Sequence, residues 1–185
     1  PACSTTMQIL DHSQLRSLFA QPQERARRKE IPSLDRHCQD FIALSPFVVL
    51  STCDEEHNLD ASPRGGDPGF VKVTDQGQLL LPDAPGNNRL DSLYNVISTG
   101  KVGLLFLIPG FDETLRVNGN AVLSTADDDI RSCTTERRVP KLVVRVMVTA
   151  AYLHCAKAFL RSKLWSASSK VERTRLPTIG QMIND

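Results

Sequence analysis

Residues 141–152 alternate well: Leu142, Val144, Val146 and Val148 fall on one face and Val143, Arg145, Met147 and Thr149 on the other. A period of two over that length predicts a β-strand with one face on a core. The segments before it repeat the theme at short spacing. Phe47–Cys53 is rich in β-branched residues, the polar run 54–58 reads as a hairpin turn, and 59–63 leads back. Residues 70–73 and 78–81 flank a turn at 74–77, and 101–108 and 114–123 flank another at 109–112. Tightly joined strands are antiparallel. Six or seven of them with one intervening helix predict a mainly β, α+β chain built as a closed or partly closed antiparallel barrel. The regular βα alternation of a doubly wound sheet is absent.

Helical spacing marks the flanks. Leu90, Leu93, Tyr94 and Ile97 predict a helix over 88–99, capped by Asn87 or Asn88 and closed by Gly100. Ser33, after Pro32, predicts the start of another that carries Leu34, Cys38, Phe41, Ile42 and Leu44 inward. A short helix is expected after Ser124 and Thr125, with Asp127, Asp128 and Asp129 complementing its dipole rather than holding a cation. A last one over 154–165 turns Cys155, Phe159, Leu160 and Leu164 inward. Residues 7–30, with Leu10, Leu15, Leu18 and Phe19 on one stripe and then Arg25, Arg27, Arg28 and Lys29, read as a helical arm. The expected division is an N-terminal arm over 1–32 and a barrel domain over 33–185.

Composition narrows the function classes. A chain of 185 residues with 41% hydrophobic and 23% charged residues can bury a core. The longest apolar run, 102–108, contains Gly103 and falls far short of the roughly 20 residues of a membrane helix, so no membrane role is expected. With no leader pattern in view, the expected compartment is the cytoplasm. Twenty-two basic against 21 acidic residues leave a net charge of +1, so a nucleic-acid partner is not expected. A polyanion contact would be local, on Lys157, Arg161, Lys163, Lys170, Arg173 and Arg175. Five scattered cysteines without C-x-x-C read as reduced thiols, and four histidines, none four residues from another, predict no metal site.

The usual catalytic templates are missing: there is no G-x-G-x-x-G after a strand, no phosphate loop of the Walker type, no G-x-S-x-G and no H-E-x-x-H. What remains is basic and small polar residues at strand ends, which suits a protein that takes its reactivity from a bound cofactor. In 85–89, Asn87 or Asn88 caps a helix whose open start, with Arg89 and Ser92, suits an anion; ordinary capping explains the same residues. Thr114, Arg116 and Asn118 share one strand face, either lining a site or simply wet. Ser62, Pro63, Arg64, Gly65 and Gly66 form a strand end whose glycines allow close backbone approach, or a plain surface turn.

In order, A-S-P-R-G-G-D-P-G-F-V-K-V (61–73), L-L-L-P-D-A-P-G-N-N-R-L-D-S-L (79–93), V-G-L-L-F-L-I-P-G (102–110) and E-T-L-R-V-N-G (113–119) make a pattern that resembles the pyridoxamine 5'-phosphate oxidase-related, FMN-binding split-barrel family, in particular its bacterial branch with the P-G-N-N-R-L-D-S segment. The resemblance implies an antiparallel split β-barrel with flanking helices, a homodimer, and FMN bound between the two chains. It implies that Phe70, Val71, Lys72, Leu81 and Pro82 lie along the ring and ribityl chain, that Arg89 and Ser92 with Lys72 hold the phosphate, and that Gly65 and Asn88 belong to the same cofactor site. Thr114 and Arg116 would complete the pocket from the other subunit, and Arg64 would reach the pyrimidine side or the substrate. Trp165 either covers the flavin from the partner or packs at a helix end. Residues 161–185 do not match the substrate-phosphate signature of true pyridoxamine phosphate oxidases, so the small-molecule substrate is left open. The expected function is an FMN-dependent oxidoreductase. A non-catalytic flavin or tetrapyrrole binder and a polyanion-binding module are the alternatives.

Overall fold

The computed structural model describes residues 9, 11–24 and 29–184. The chain divides into two units, Pro1–Glu30 and Ile31–Asp185, the boundary falling inside the two-residue strand β1 (Glu30–Ile31). In the first unit the described helix is α1 (His12–Ser17), capped by the Asp11 carboxylate, which accepts from Gln14 N at 2.8 Å. Of the helical arm expected over 7–30, with a restart at Pro22, residues 7, 8, 10 and 25–28 lie outside the described residues. α1 ends at Leu18, Phe19 lies beyond it, and residues 20–23 are non-helical around Pro22, which disfavours helical geometry in the residue before it. Leu15, Leu18 and Phe19 are exposed. Cys3, Leu10, Arg25, Arg27 and Arg28 lie outside the described residues.

In the second unit α2 (Arg36–Leu44) starts two residues later than Ser33 suggests. Asp35 is its cap, because its carboxylate accepts from Cys38 N at 2.8 Å. Cys38 and Ile42 are buried, as is Leu34 just before the helix, but Leu44 is exposed where the chain turns out at Ser45. The cap bond holds the Asp35 carboxyl below its ordinary range. A lowered folded pKa contributes stability above the unfolded value, and that contribution is lost as pH falls through the folded one. Asp35→Ala should therefore cost about 1 kcal/mol in urea unfolding at neutral pH. The gap between variant and wild type should close on acidification through the carboxylate range.

Seven strands run along the main path of an eight-stranded sheet: β2 (Phe47–Cys53), β3 (Leu59–Gly65), β4 (Lys72–Val73), β5 (Leu79–Pro82), β6 (Lys101–Leu107), β7 (Thr114–Ser124) and β8 (Val143–His154). They follow the order β3-β2-β6-β7-β8-β5-β4, and every neighbouring pair along that path is antiparallel. This curled sheet, flanked by helices, is a split barrel. Val48, Leu50, Leu104, Phe106, Leu115, Val117 and Val146 fill its interior with almost no exposure, each contributing about 1.5–3 kcal/mol by leaving water. Ser45, also buried, places its hydroxyl 2.8 Å from the Phe47 carbonyl and 2.7 Å from the Leu107 carbonyl, tying the end of α2 to β2 and β6.

The expected strand over 70–73 shortens to β4, since Phe70 and Val71 belong to the preceding loop, where Gly69 has φ +74. β7 carries an irregularity between Asn118 and Gly119. α3 (Asp91–Ser98) begins three residues after Asn88. Asn88 and Leu90 take positive φ of 60 and 63, and Asn87 Oδ1 accepts from Arg89 N at 3.1 Å, so the asparagines form a turn instead of capping a helix. Gly100, at φ +65, closes α3 with its N–H on the Val96 carbonyl at 3.0 Å.

In α4 (Asp127–Cys133) the acidic triplet does more than complement a dipole. Asp129 is buried, receives Arg145 at 3.0 Å and accepts from Ser124 Oγ at 2.6 Å, while Arg145 Nε donates to Gln78 at 2.7 Å. α5 (Lys157–Ser162) is shorter than expected, and Cys155, Leu160 and Leu164 are exposed rather than inward, since the helix packs little of its length on the sheet. Beyond it come two single 3₁₀ turns, Ala167–Ser169 and Arg173–Arg175, and α6 (Ile179–Asn184). Among the described residues no helix is long and apolar enough to cross a membrane.

Candidate functional site

β3 lies at one end of the strand order, so only one of its edges is paired. Its alternation leaves Leu59, Ala61, Pro63 and Gly65 exposed and half-buries Asp60, Ser62 and Arg64 on the opposite face. That face meets the start of α3. Ser92, 2% exposed, donates its hydroxyl proton to Asp60 Oδ2 at 2.5 Å and lies 3.0 Å from the Ser62 hydroxyl, which donates to the same oxygen at 2.9 Å. Ser92 in turn accepts from Arg64 Nη2 at 3.1 Å. Arg64 Nε is buried and has no hydrogen-bond partner.

Beside this cluster opens a cavity of about 1020 Å³, lined by Asp60, Ser62, Arg64, residues 83–93, Arg138, Val139, Lys141 and Leu142. A second cavity of about 460 Å³ shares Ser62, Arg64 and 84–87 with it and adds Gly65, Phe70 and Pro82. A third, about 210 Å³, lies among Gly65, Gly66, Phe70, Lys72, Pro82, Asp83, Cys133 and Arg138. The shared walls make the three one continuous groove. Its charges are interleaved. Arg89 pairs with Asp91 at 2.8 Å while staying 72% exposed, and Lys72 Nζ donates to the Gly69 carbonyl at 2.8 Å. Arg138 stands 3.6 Å from Asp83, which also accepts from Lys141 N at 2.8 Å. Burial pushes the Cys133 thiol up to about 11, so at neutral pH it is a packed, uncharged group and not a nucleophile.

The expected residues divide into three sets. Arg64, Asn88, Arg89 and Ser92 line the large cavity, and Gly65, Phe70, Lys72 and Pro82 line the smaller ones. Val71 and Leu81 belong to the core, 3% and 1% exposed, and line none of these cavities. Thr114, Arg116 and Trp165 line none of these cavities. Thr114 is buried opposite His154, the Arg116 guanidinium sits 5.0 Å from the Tyr152 ring centroid, and Trp165 donates to the Phe111 carbonyl at 2.7 Å while stacking on Phe159.

Sequence reasoning missed Asp60, Asp83, Arg138 and Lys141. The first had a visible signal, since Asp60, Ser62 and Arg64 recur with a period of two along β3. Asp83 lies inside the 79–93 segment just after β5, where its neighbours drew the attention, and Arg138 and Lys141 come from the loop between α4 and β8, which no motif marks. Among the described residues no group of three or more histidine, cysteine or acidic side chains is placed to hold a metal ion.

A split barrel of antiparallel strands, with a groove where an edge strand meets a helix start, defines a class of small ligand-binding barrels. The model of the pyridoxamine 5'-phosphate oxidase family matches residues 34–155, more than half of the chain, and the chain belongs to that family. Among solved structures, tagged HupZ of Group A Streptococcus superposes with a TM-score of 0.52 at 17% identity, over 65% of this chain and 93% of that one. A candidate pyridoxamine 5'-phosphate oxidase from Lactobacillus delbrueckii gives 0.48 at 20% identity, over 65% and 93%. The FAD binding protein from Mycobacterium smegmatis gives 0.44 at 13%, over 66% and 97%. No curated protein matches the sequence.

Proposed function

We propose that this chain is a homodimeric FMN-binding flavoprotein, an FMN-dependent oxidoreductase acting on a small molecule. The observation that carries the reading is the buried Arg64 Nε–H without a partner, on a side chain that lines two of the connected cavities. Buried donors in native proteins are satisfied, so this one calls for a ligand acceptor. FMN offers ring carbonyls and a phosphate, and the residues present fit it. Arg89 and Lys72, with the backbone at Asn88, would hold the phosphate. Ser92 gives its proton to Asp60 and is a lesser phosphate donor than its sequence position suggests. Gly65, Phe70 and Pro82 would line the ring and ribityl chain.

Thr114, Arg116 and Trp165 stand apart from the groove of their own chain. A second copy would bring them to it. When bound, the flavin supplies hydride acceptance from a reduced substrate or nicotinamide. The protein's part is to hold the ring, neutralise the phosphate and keep water from one side. No lining residue is a histidine, and Asp60, Asp83 and Asp91 are each engaged by donors. The same fact favours a second reading, a flavin or tetrapyrrole binder without turnover.

Purified protein separates these readings. We expect it to gain a bound-flavin spectrum with FMN and to behave as a dimer in light scattering. A protein that stays colourless on adding FMN would sink both flavin readings, and a monomer that holds FMN tightly would remove the shared site. Reduction of the bound flavin by NADH or NADPH, followed by turnover, supports the oxidoreductase; reduction by neither leaves the binder.

A further inference from the structure

We infer that Asp83 is a specificity-determining residue: it holds Arg138 in an internal ion pair where two cavities of the groove meet, so that the reaction partner of the flavin presents an uncharged or cationic group there and not a carboxylate or phosphate ester. The inference rests on the flavin reading for the cofactor beside the pair. Asp83 and Arg138 both line the cavity of about 1020 Å³ and the one of about 210 Å³, so a molecule in either meets the two charges together. The carboxylate is fixed in place. It accepts from Lys141 N at 2.8 Å and from Leu142 N at 3.4 Å, and the Asp83 N–H donates to the Leu142 carbonyl at 3.1 Å, which pins it to the residues that lead into β8. Arg138 is bridged to Thr135, N–H to carbonyl in both directions at 2.9 and 3.1 Å, and its guanidinium stands 3.6 Å from Asp83. The two side chains are 35% and 21% exposed, against 72% and 46% for Arg89 and Asp91, so water screens this pair less.

The cost of entry names the ligand class. A carboxylate or phosphate that leaves water needs a cation without a counter-charge. With Arg89 and Lys72 on the FMN phosphate and Arg64 on Ser92, an anion is left with Arg138, which Asp83 already balances, and with Lys141, which is exposed to water. Asp67 adds a further negative charge to the smaller cavity. An uncharged ring or amide meets none of these costs, and a cation finds two carboxylates. A dihydronicotinamide ring, uncharged, satisfies the condition.

Three probes of one shape, benzoate, benzamide and benzamidinium, read the preference. They are titrated into the FMN-loaded protein, followed by the flavin spectrum, and into the flavin-free protein, followed by the amide NMR signals of Lys141 and Leu142. Wild type should bind benzoate about tenfold more weakly than benzamide. Asp83→Asn keeps an acceptor for Lys141 N and Leu142 N but removes the charge, so benzoate should gain about tenfold from the released arginine, and Arg138→Ala added to it should abolish the gain. Should Asp83→Asn fail to fold, Arg138→Gln leaves the carboxylate without its cation and should raise benzamidinium binding about tenfold instead. A wild type that takes benzoate as well as benzamide overturns the proposal, as does an unchanged preference in Asp83→Asn or Arg138→Gln. If no probe binds wild type, the gain in the variants decides. A wild type that binds no FMN would end the flavin reading, and the NMR arm would still decide whether Asp83 withholds Arg138 from anions.

Discussion

Arg89→Ala should weaken FMN binding roughly 10- to 100-fold and leave the weak binding of riboflavin unchanged. Phosphate near neutral pH carries close to two negative charges and three acceptor oxygens, and a guanidinium meets them with a planar fork. Arg89 stands at the start of α3, 72% exposed and paired with Asp91. An exposed pair of this kind is weakly held, so the arginine is free to exchange Asp91 for a more highly charged partner. Titration of flavin fluorescence gives both affinities. An equal loss for the two ligands would assign Arg89 to the ring pocket or the fold, and an unchanged FMN affinity would return it to the surface.

The second large effect lies in the sheet. Gly119→Ala should cost about 3 kcal/mol, the upper end for overpacking. Gly119 sits at the irregularity in β7, where the new Cβ would run into the Met147 carbonyl oxygen and come within 2.7 Å of Val146 Cγ1. A flexible side chain could swing away, but a carbonyl oxygen in β8 moves only with its strand. Urea unfolding should show a clear drop in midpoint, with Gly180→Ala, which lies in α6 and meets nothing within 4 Å, as the clash-free control that holds or slightly raises it. An unchanged midpoint for Gly119→Ala would mean that the β7–β8 ladder yields.

Where alternation was strong, structure followed it. The run 141–152 became β8 (Val143–His154), because a period of two with one apolar face has a single low-energy outcome, and the hairpin spacings gave the pairs β2–β3, β4–β5 and β6–β7, while the crossovers that set β6 beside β2 and β5 beside β8 carry no local signal. The flanks were less legible. Asn87 and Asn88 carry the chemistry of a helix cap and of a turn equally, and only the positive φ at Asn88 and Leu90 reveals which one formed. The apolar residues of 154–165 suit a helix, but periodicity cannot say whether its face packs within the chain, and Leu160 and Leu164 are exposed. In the groove, Arg64, Arg89 and Lys72 were legible as cations at strand and helix ends. Asp83 and Arg138 were not, since their meeting joins residues 55 positions apart and depends on the path of the loop after α4.

The turn at 54–58 decides more than the direction of a hairpin. The Asp54 carboxylate accepts from the N–H groups of Glu56 and Asn58 and from the Asn58 side chain, at 2.8–2.9 Å, and so sets the number of residues between β2 and β3. Because strand faces alternate, that number acts as a reading frame. A slip of one residue would present Ala61 and Pro63 to the groove and turn Asp60, Ser62 and Arg64 outward, leaving the same amino acids in the same order with no site among them. Asp54 lines none of the cavities. Its turn nevertheless settles which half of β3 is chemistry and which is surface.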